Sequence, residues 1–515
     1  MGFFDRIKRV FTPEPKEKKR YMEMGNDGFK SIPYSTKTIN TIAREKGFIS
    51  RGQARNLALN NPLAKSAKDV LVDNLVGDGI VPNFIIKNGA KVPADIRSAV
   101  QTCMYLSEDD KKAILTGNKT TNDILLAVVN HFWRNYMEKP TVDGLKKTNI
   151  YGIQRIAMQS VVVDGEVLIL RKFKSKPKLG ELPFVLSILE IDYLNDTVPS
   201  YENKEVYGGV VIDQDGNPDG YMVYKMHPND SLRMNRNREY RYISLNDMTH
   251  IYRVDRPGQL RGITWYSSIG HRLNDIEIYN TATIETAKIS TAFSGFIHNA
   301  DDDFLEAFTE GTYTFEKEIS PGQLVALPPG ASIQFSNPPQ RIGEDTYVKS
   351  LVRSVARGMG IPYSEFSADY SDSNYSSSRL DYLSFNRSLK VYRENIIIPQ
   401  MLTPMMNWFI EGLEMIGIPT SHIDYVWVMP KRELIDPYKE MQALGEELKL
   451  GLVSWSEVCA SLGRDPDAVA QQLQSDQELF KSLGIDIDLY QVKDKQIQPN
   501  QQDQPAQDTP QDNNI

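Results

Sequence analysis

Apolar and polar positions recur along this chain with two periods, and the switches between them outline its organisation. From Ser50 the period is helical. In RGQARNLALNNPLAKSAKDVLVDNLVGDGI, Val70, Leu71 and Leu75 share a face, and Gly77-Asp78-Gly79 reads as a helix stop in a tight turn. Residues 121–138 and 149–163 repeat the helical spacing. Between 160 and 256 period two takes over: SVVVDGEVLILRKF, VLSILEIDYL, YGGVVIDQDGNPDGYMVYKM and MTHIYRVDRP predict strands. Asp164-Gly165, between β-branched runs, predicts a hairpin; Asp215-Gly216 and Pro218-Asp219-Gly220 predict turns. The helical period returns over 265–292, long enough to span roughly 40 Å. Its second half is rich in Thr and Ala, which lets helices approach closely.

Residues 293–341 break that pattern. DDDFLEAF suits a short helix, and the alternating runs that follow are cut by Pro321-Gly322, Pro328-Pro329-Gly330 and Pro338-Pro339. This is a small α/β insertion with a hairpin, set between two helices. The second of these carries Tyr347, Leu351, Val352, Val355 and Met359, and is stopped by Gly358, Gly360 and Pro362. A polar loop rich in Ser and Tyr follows, GIPYSEFSADYSDSNYSSSRL, a surface segment or a plain linker between core helices. Ser378-Arg379-Leu380-Asp381 fits a capping box, and Tyr382, Phe385, Leu389, Tyr392 and Ile396 then form one apolar seam. Pro399 has no amide proton and predicts a kink over 395–399, with Pro404 a second interruption. HIDYVWVMP predicts a strand. Asp436-Pro437, Ser454-x-x-Glu457 and Asp465-Pro466 mark three helix starts in a unit running to about Gly484. The fold class is α+β, mainly helical.

The termini read differently. MGFFDRIKRVF places Phe3, Phe4, Ile7, Val10 and Phe11 on one helical face, a docking arm for a neighbouring subunit or scaffold, with a membrane-surface helix as the alternative. Arg6 stands where myristoylation wants Ser or Thr. Residues 496–515 are rich in Gln, Asp, Asn and Pro, a composition that predicts disorder.

At 515 residues the chain is too long for one compact core. No apolar run approaches the roughly 18 residues of a membrane span. Cys103 and Cys459 give neither zinc spacing nor a disulfide framework, consistent with assembly in a reducing cytoplasm. The net charge of -8 lacks the basic footprint of a protein that grips nucleic acid tightly. Gly117-Asn118-Lys119-Thr120 is not a phosphate loop, and the six histidines show no metal spacing. The best enzymatic candidate is a carboxylate cluster of Asp164, Glu166, Glu190 and Asp192, followed by Arg171 and Lys172, which would suit a metal-dependent nuclease. Their places in a D-G turn and at a strand exit predict solvated side chains. No catalytic residue, metal or cofactor is therefore assigned.

Taken in order, these segments resemble the lambda-type portal proteins of tailed bacteriophages. The likeness runs from about 51 to 484 and includes ARNLALNNPLAKSAKDVLVDNLVGDGI, VVVDGEVLIL, LEIDYLND, GGVVIDQDGNPDGYMVY and IYRVDRPGQLRGITWYSSIGHRLNDI. It continues through SPGQLVALPPGASIQF, ARGMGIPYSEFSADYSDSNYSSSRLDYL and DPYKE…GLVSWSEV…GRDPDAV, with NYSSSR the most specific piece. The resemblance implies a portal fold. It has an N-terminal arm (1–50), a wing (51–263), two stem helices (264–292 and 342–361) and a clip (293–341). A tunnel loop (362–377), a long kinked wing helix (378–418, kinked at Pro399), a wing strand (419–435), a helical crown (436–486) and a disordered tail (487–515) complete it. It implies a homo-oligomeric ring, twelve-fold in the family, at one capsid vertex of the virion, assembled in the host cytoplasm. The implied partners are the terminase large subunit, the head–tail adaptor, the major capsid and scaffolding proteins, and passing double-stranded DNA; no membrane is expected. The DNA-facing residues would be Ser367, Asp369, Tyr370, Ser371, Asp372, Ser373, Asn374 and Tyr375. The clip residues that dock terminase and adaptor would be Asp301, Asp302, Asp303, Glu306, Glu310, Glu316 and Lys317. Acidic and hydroxyl groups on the loop would repel DNA or bond it weakly, so that it slides.

Overall fold

The computed structural model describes residues 37–87, 92–117, 119–230, 239–292, 296–299, 331–334, 344–372, 374–430, 436–464 and 466–484. The expected N-terminal arm helix, the clip carboxylates and the tail beyond 487 lie outside these residues. The chain divides into two compact units, 1–437 and 438–515.

The first unit opens with α1 (Ile39–Asn60), which starts at Ile39 rather than at Ser50. Asn61 both ends α1 and caps α2 (Pro62–Leu75) by accepting the amide of Ala64, with Pro62 pre-set for the first turn. Gly77 (φ 52°) and Gly79 (φ 131°) then turn the chain into β1 (Val81–Ile86). Helices α3 (Ile96–Thr102), α4 (Glu108–Leu115) and α5 (Thr121–Phe132) follow, the last opened by a reciprocal Thr120/Asp123 capping box.

Helix α6 spans Ile150–Asp164 and corrects the hairpin expected at Asp164-Gly165. Val161 and Val162 are completely buried, so packing overrides their β preference. Gly165 (φ 90°) is the left-handed residue that ends the helix, and β2 (Glu166–Phe173) starts immediately after it. Strand β2 lies between β3 (Phe184–Leu189) and β9 (Met248–Tyr252), antiparallel to both. It is buried on both faces. Val167 and Ile169 join the main helical core, whereas Leu168 and Leu170 face a second core with Val210, Tyr221 and Ile243.

That second core backs a five-stranded antiparallel sheet in sequence order: β4 (Ser200–Tyr201), β5 (Lys204–Tyr207), β6 (Val210–Ile212), β7 (Pro218–Tyr224) and β8 (Tyr240–Ser244). Asp215-Gly216 is the expected turn, with Gly216 at φ 84°. Pro218-Asp219-Gly220 is instead the start of β7. A Cβ on Gly220 would fall 2.4 Å from the Tyr242 ring, so glycine there makes room for an aromatic neighbour.

A 3₁₀ turn at Trp265–Ser268 leads into α7 (Gly270–Ala292). Strands β10 (Phe296–Asn299) and β11 (Ala331–Gln334) pair antiparallel, and α8 (Glu344–Met359) returns to pack on α7. Beyond the single-turn α9 (Tyr363–Ser367), α10 covers Tyr375–Tyr392. Its cap is Asn374 with Ser377, not the expected Ser378 with Asp381, so the helix starts four residues earlier than the sequence pattern suggests.

Where a kink is expected, Arg393–Leu402 is π-helical and encloses Pro399, whose missing amide the wider register tolerates. Pro404 causes no break: it lies in the first turn of α11 (Thr403–Met415), so helical backbone runs on from Tyr375 to Met415. Arg393 donates to the carbonyls of Asn74 (2.7 Å) and Leu75 (2.9 Å), closing the open end of α2. Strand β12 (Ile423–Val428) pairs with β1.

The second unit holds α12 (Pro437–Lys449), α13 (Trp455–Ser461) and α14 (Pro466–Ser482), beginning at the three expected starts. Ser454 and Glu457 form a reciprocal cap. Among the described residues no helix is long and apolar enough to cross a membrane.

Gly165 and Gly262 bring two backbone segments close together: a Cβ on Gly262 would sit 2.2 Å from the Gly165 carbonyl oxygen. We expect Gly262→Ala to lower unfolding free energy by about 2 kcal/mol or more. Gly52→Ala, in the open middle of α1, should instead raise it by up to about 1 kcal/mol. Denaturant melts of both variants check this; equal effects would contradict it.

Candidate functional site

Two places gather the residues singled out above. The first is the carboxylate cluster. Asp164, Glu166, Glu190 and Asp192 do converge, but Asp164, Glu166 and Asp192 are buried rather than solvated, which corrects that expectation. Their partners come from elsewhere in the chain. Arg55 on α1 grips Asp164 with two bonds (2.7 and 2.8 Å) and reaches Asp192 (2.6 Å) and Glu190 (3.5 Å). Arg51, one turn earlier, bonds Asp192 at 3.2 Å.

Glu166 is 1% exposed and accepts bonds from Arg261 (2.8–3.1 Å), His250 (3.0 Å) and the Gly262 amide (2.7 Å). Burial alone would push its carboxyl up. Arg261 and then His250 outweigh burial and hold it well below the usual carboxylate range. Burial lowers His250 below its ordinary value, so the ring stays neutral. Burial also opposes ionisation of Asp192, but Arg51 and Arg55 bring its carboxyl down.

Glu190, Asp192 and His227 bring ligand atoms within 4.8 Å of one another. The Arg55 guanidinium already stands among the two carboxylates, so the cluster is a closed ionic lock rather than a cation cradle. The nuclease reading has no support in this geometry.

The second place is the loop between α8 and α10. Phe366 is buried, and its carbonyl accepts from Ser66 on α2 (3.2 Å), which anchors the loop's first half. Ser367 ends α9, and Ala368 turns the chain with φ 54°. Asp369 then gathers donors: the Ser371 amide (3.1 Å), the Ser371 hydroxyl (2.6 Å), the Tyr363 hydroxyl (3.0 Å) and Lys349 (3.2 Å). The Ser371 bonds, then Tyr363 and Lys349, keep its carboxyl far below the ordinary value. Asp372 pairs with Lys349 (3.5 Å) and Arg353 (3.2 Å), and the Arg353 guanidinium lies 5.0 Å from the Tyr363 ring centre. Tyr370 is exposed, Asn374 is committed to capping α10, and Tyr375 opens that helix. Ser373 and the clip residues Asp301, Asp302, Asp303, Glu306, Glu310, Glu316 and Lys317 lie outside the described residues.

The loop carboxylates are therefore paired, not free. Their partners, Lys349 and Arg353, sit four residues apart on α8, with Arg357 four further on, while Leu351, Val352, Val355 and Met359 are buried. The spacing K-x-x-x-R-x-x-x-R is legible in the sequence, but it is interleaved with the stronger apolar seam of Leu351, Val355 and Met359. Arg51, Arg55 and Arg261 carried no such local signal.

Comparison with known proteins places the chain. The family described as "Phage portal protein, lambda family" matches residues 30–393. The chain is 24% identical over 454 residues to a protein of Halomonas phage phiHAP-1 named as a probable portal protein, covering 84% of this chain and 81% of that one. It is 20% identical to portal protein B of Escherichia phage lambda over 270 residues, 44% of this chain and 50% of the other. A chain from the neck of a native gene transfer agent particle, computed with C12 symmetry, aligns with a TM-score of 0.42 at 12% identity, over 81% of this chain and 94% of that one. The chain belongs to the lambda family of phage portal proteins.

Breaking the lock has a defined cost. Glu166→Gln should destabilise the chain by about 3 kcal/mol or more, because Arg261 then stays buried without its counter-charge. The pH dependence follows from the depressed values of His250 and Glu166, with Asp192 adding to the lower one. A depressed pKa contributes stability above the unfolded value that is lost as pH falls. Stability should thus decline below about 6.5, where His250 of the unfolded chain takes a proton that the buried ring refuses, and again below about 4.5, where Glu166 of the unfolded chain does the same. Denaturant melts from about pH 7 to 3 should show both steps in the native chain and a shallower lower one in Glu166→Gln, where Asp192 and the other depressed carboxylates remain. A flat profile would contradict the assignment.

Proposed function

We propose that copies of the chain close into a ring around a channel at one capsid vertex of the virion, through which double-stranded DNA passes inward during packaging and outward at ejection. The observation that carries this reading is bare helix. From Glu277 to Lys288, α7 has no buried residue, although Ile278 and Ile284 are each more than half exposed. From Ser376 to Ser384, α10 is likewise uncovered, with Leu380 68% exposed. Helices of this length draw most of their stability from tertiary packing, and the described residues leave both stretches largely exposed, with Tyr279 against Tyr347 a contact on α7. Repeated, head-to-tail contacts between copies bury such faces and close a ring.

In this reading 51–263 is the wing, α7 and α8 are the stem, and the loop at 362–377 is the tunnel loop at the constriction. The segment 293–341 is the clip that docks the terminase large subunit and later the head–tail adaptor, and 436–486 is the crown. Capsid and scaffolding proteins surround the ring during assembly in the host cytoplasm. The conduit is passive, and the terminase supplies the work of translocation.

Negative-stain images and native mass measurement of the purified chain test the proposal. Annular particles with a central hole are expected; monodisperse monomers would overturn it. Ile284→Glu should abolish the rings while leaving the monomer's melting transition nearly unchanged, since that side chain is 54% exposed.

A further inference from the structure

We infer that Lys349 and Arg353 are a phosphate-binding pair kept occupied by the chain's own loop, with Asp369 and Asp372 standing in for DNA phosphates until duplex DNA displaces them. The inference rests on the conduit reading and adds to it how the loop meets its cargo. Lys349 lies 3.2 Å from Asp369 and 3.5 Å from Asp372, and Arg353 lies 3.2 Å from Asp372. Each contact presents an anionic oxygen to a solvent-accessible cation on α8, as a phosphodiester would.

Three features make exchange feasible. Arg353 and Asp372 are exposed, at 52% and 61%, and Lys349 and Asp369 are partly exposed, at 35% and 29%, so water and salt reach and screen the pairs. The Arg353 guanidinium also rests on the Tyr363 ring, which keeps it in place when the carboxylate leaves. Asp369 keeps its bonds to Ser371 and Tyr363, so the released loop has a shape to return to. Arg357, one turn further along the same face, is exposed and has no ion-pair partner among the described residues. It supplies a standing positive charge beside the two masked ones.

The mask also explains how a basic stripe suits a sliding duplex. An open row of cations would trap DNA, because each phosphate neutralised adds a salt-sensitive well. A carboxylate that reclaims its cation as each phosphate leaves flattens that well.

The test uses the full chain and a short fluorescent duplex, with binding followed by anisotropy across a salt series. Asp369→Asn/Asp372→Asn should bind about tenfold tighter at low salt, and its log K against log salt should steepen by about 0.9 for each cation freed. Adding Lys349→Gln/Arg353→Gln should return both affinity and slope to the native values. Native-like affinity and slope in the asparagine variant would overturn the inference, and so would a gain that survives the glutamine substitutions. Mass photometry of the same samples reports ring closure separately, so failure of the ring and failure of the exchange are told apart.

Discussion

Buried beside Gly262, the Glu166 carboxylate is the contact on which the remaining geometry depends. It takes a bond from the amide of Gly262, two residues before the chain turns at Thr264 into Trp265–Ser268 and then α7. Arg261 and His250 fasten the same carboxylate from the preceding loop and from β9, while Arg55 and Arg51 tie Asp164 and Asp192 to α1. One charge cluster thus fixes where a 23-residue helix leaves the folded mass. An ionic lock of this kind adds little net stability over an apolar core, but removing one partner is costly. Its use here is directional: it permits one exit path for the helix.

The returning helix obeys the same geometry. Gly358 on α8 has no side chain where a Cβ would lie 2.4 Å from Ile269, so the two helices meet closely at their base. Among the described residues α7 is largely exposed from Glu277 onward, and the ring proposal follows from that exposure. The loop after α8 is then held by a buried Phe366 at one end and by the cap of α10 at the other, with three ion pairs between. Firm ends and a weakly held middle suit a segment that must yield to a passing polymer and recover.

Much of this was legible in the chain. The α+β, mainly helical class, the stop at Gly77–Gly79, the long segment from Trp265 and the three starts after Asp436 all carry local chemistry that the structure retains. The errors share a cause. Asp164-Gly165 and Pro218-Asp219-Gly220 have the residue types of turns, yet burial of Val161 and Val162 keeps the first helical and the Tyr242 ring recruits the second into a strand. Ser378 looked like a cap because Asn374 and Ser377 offered the same chemistry one turn earlier. The four carboxylates were visible, but Arg51, Arg55 and Arg261 that occupy them lie about a hundred residues away, and no periodicity encodes a contact at that distance.

The central claim is that the loop at 362–377 lies at the narrowest point of a channel formed by many copies. A three-dimensional density map of the assembled particle, with the chain traced through it, tests this most directly. The account predicts a closed ring whose bore is tightest at this loop, with Lys349, Arg353 and Arg357 turned toward the axis. A map in which the loop lies on the outer rim, or inside a solitary molecule away from any bore, would contradict it.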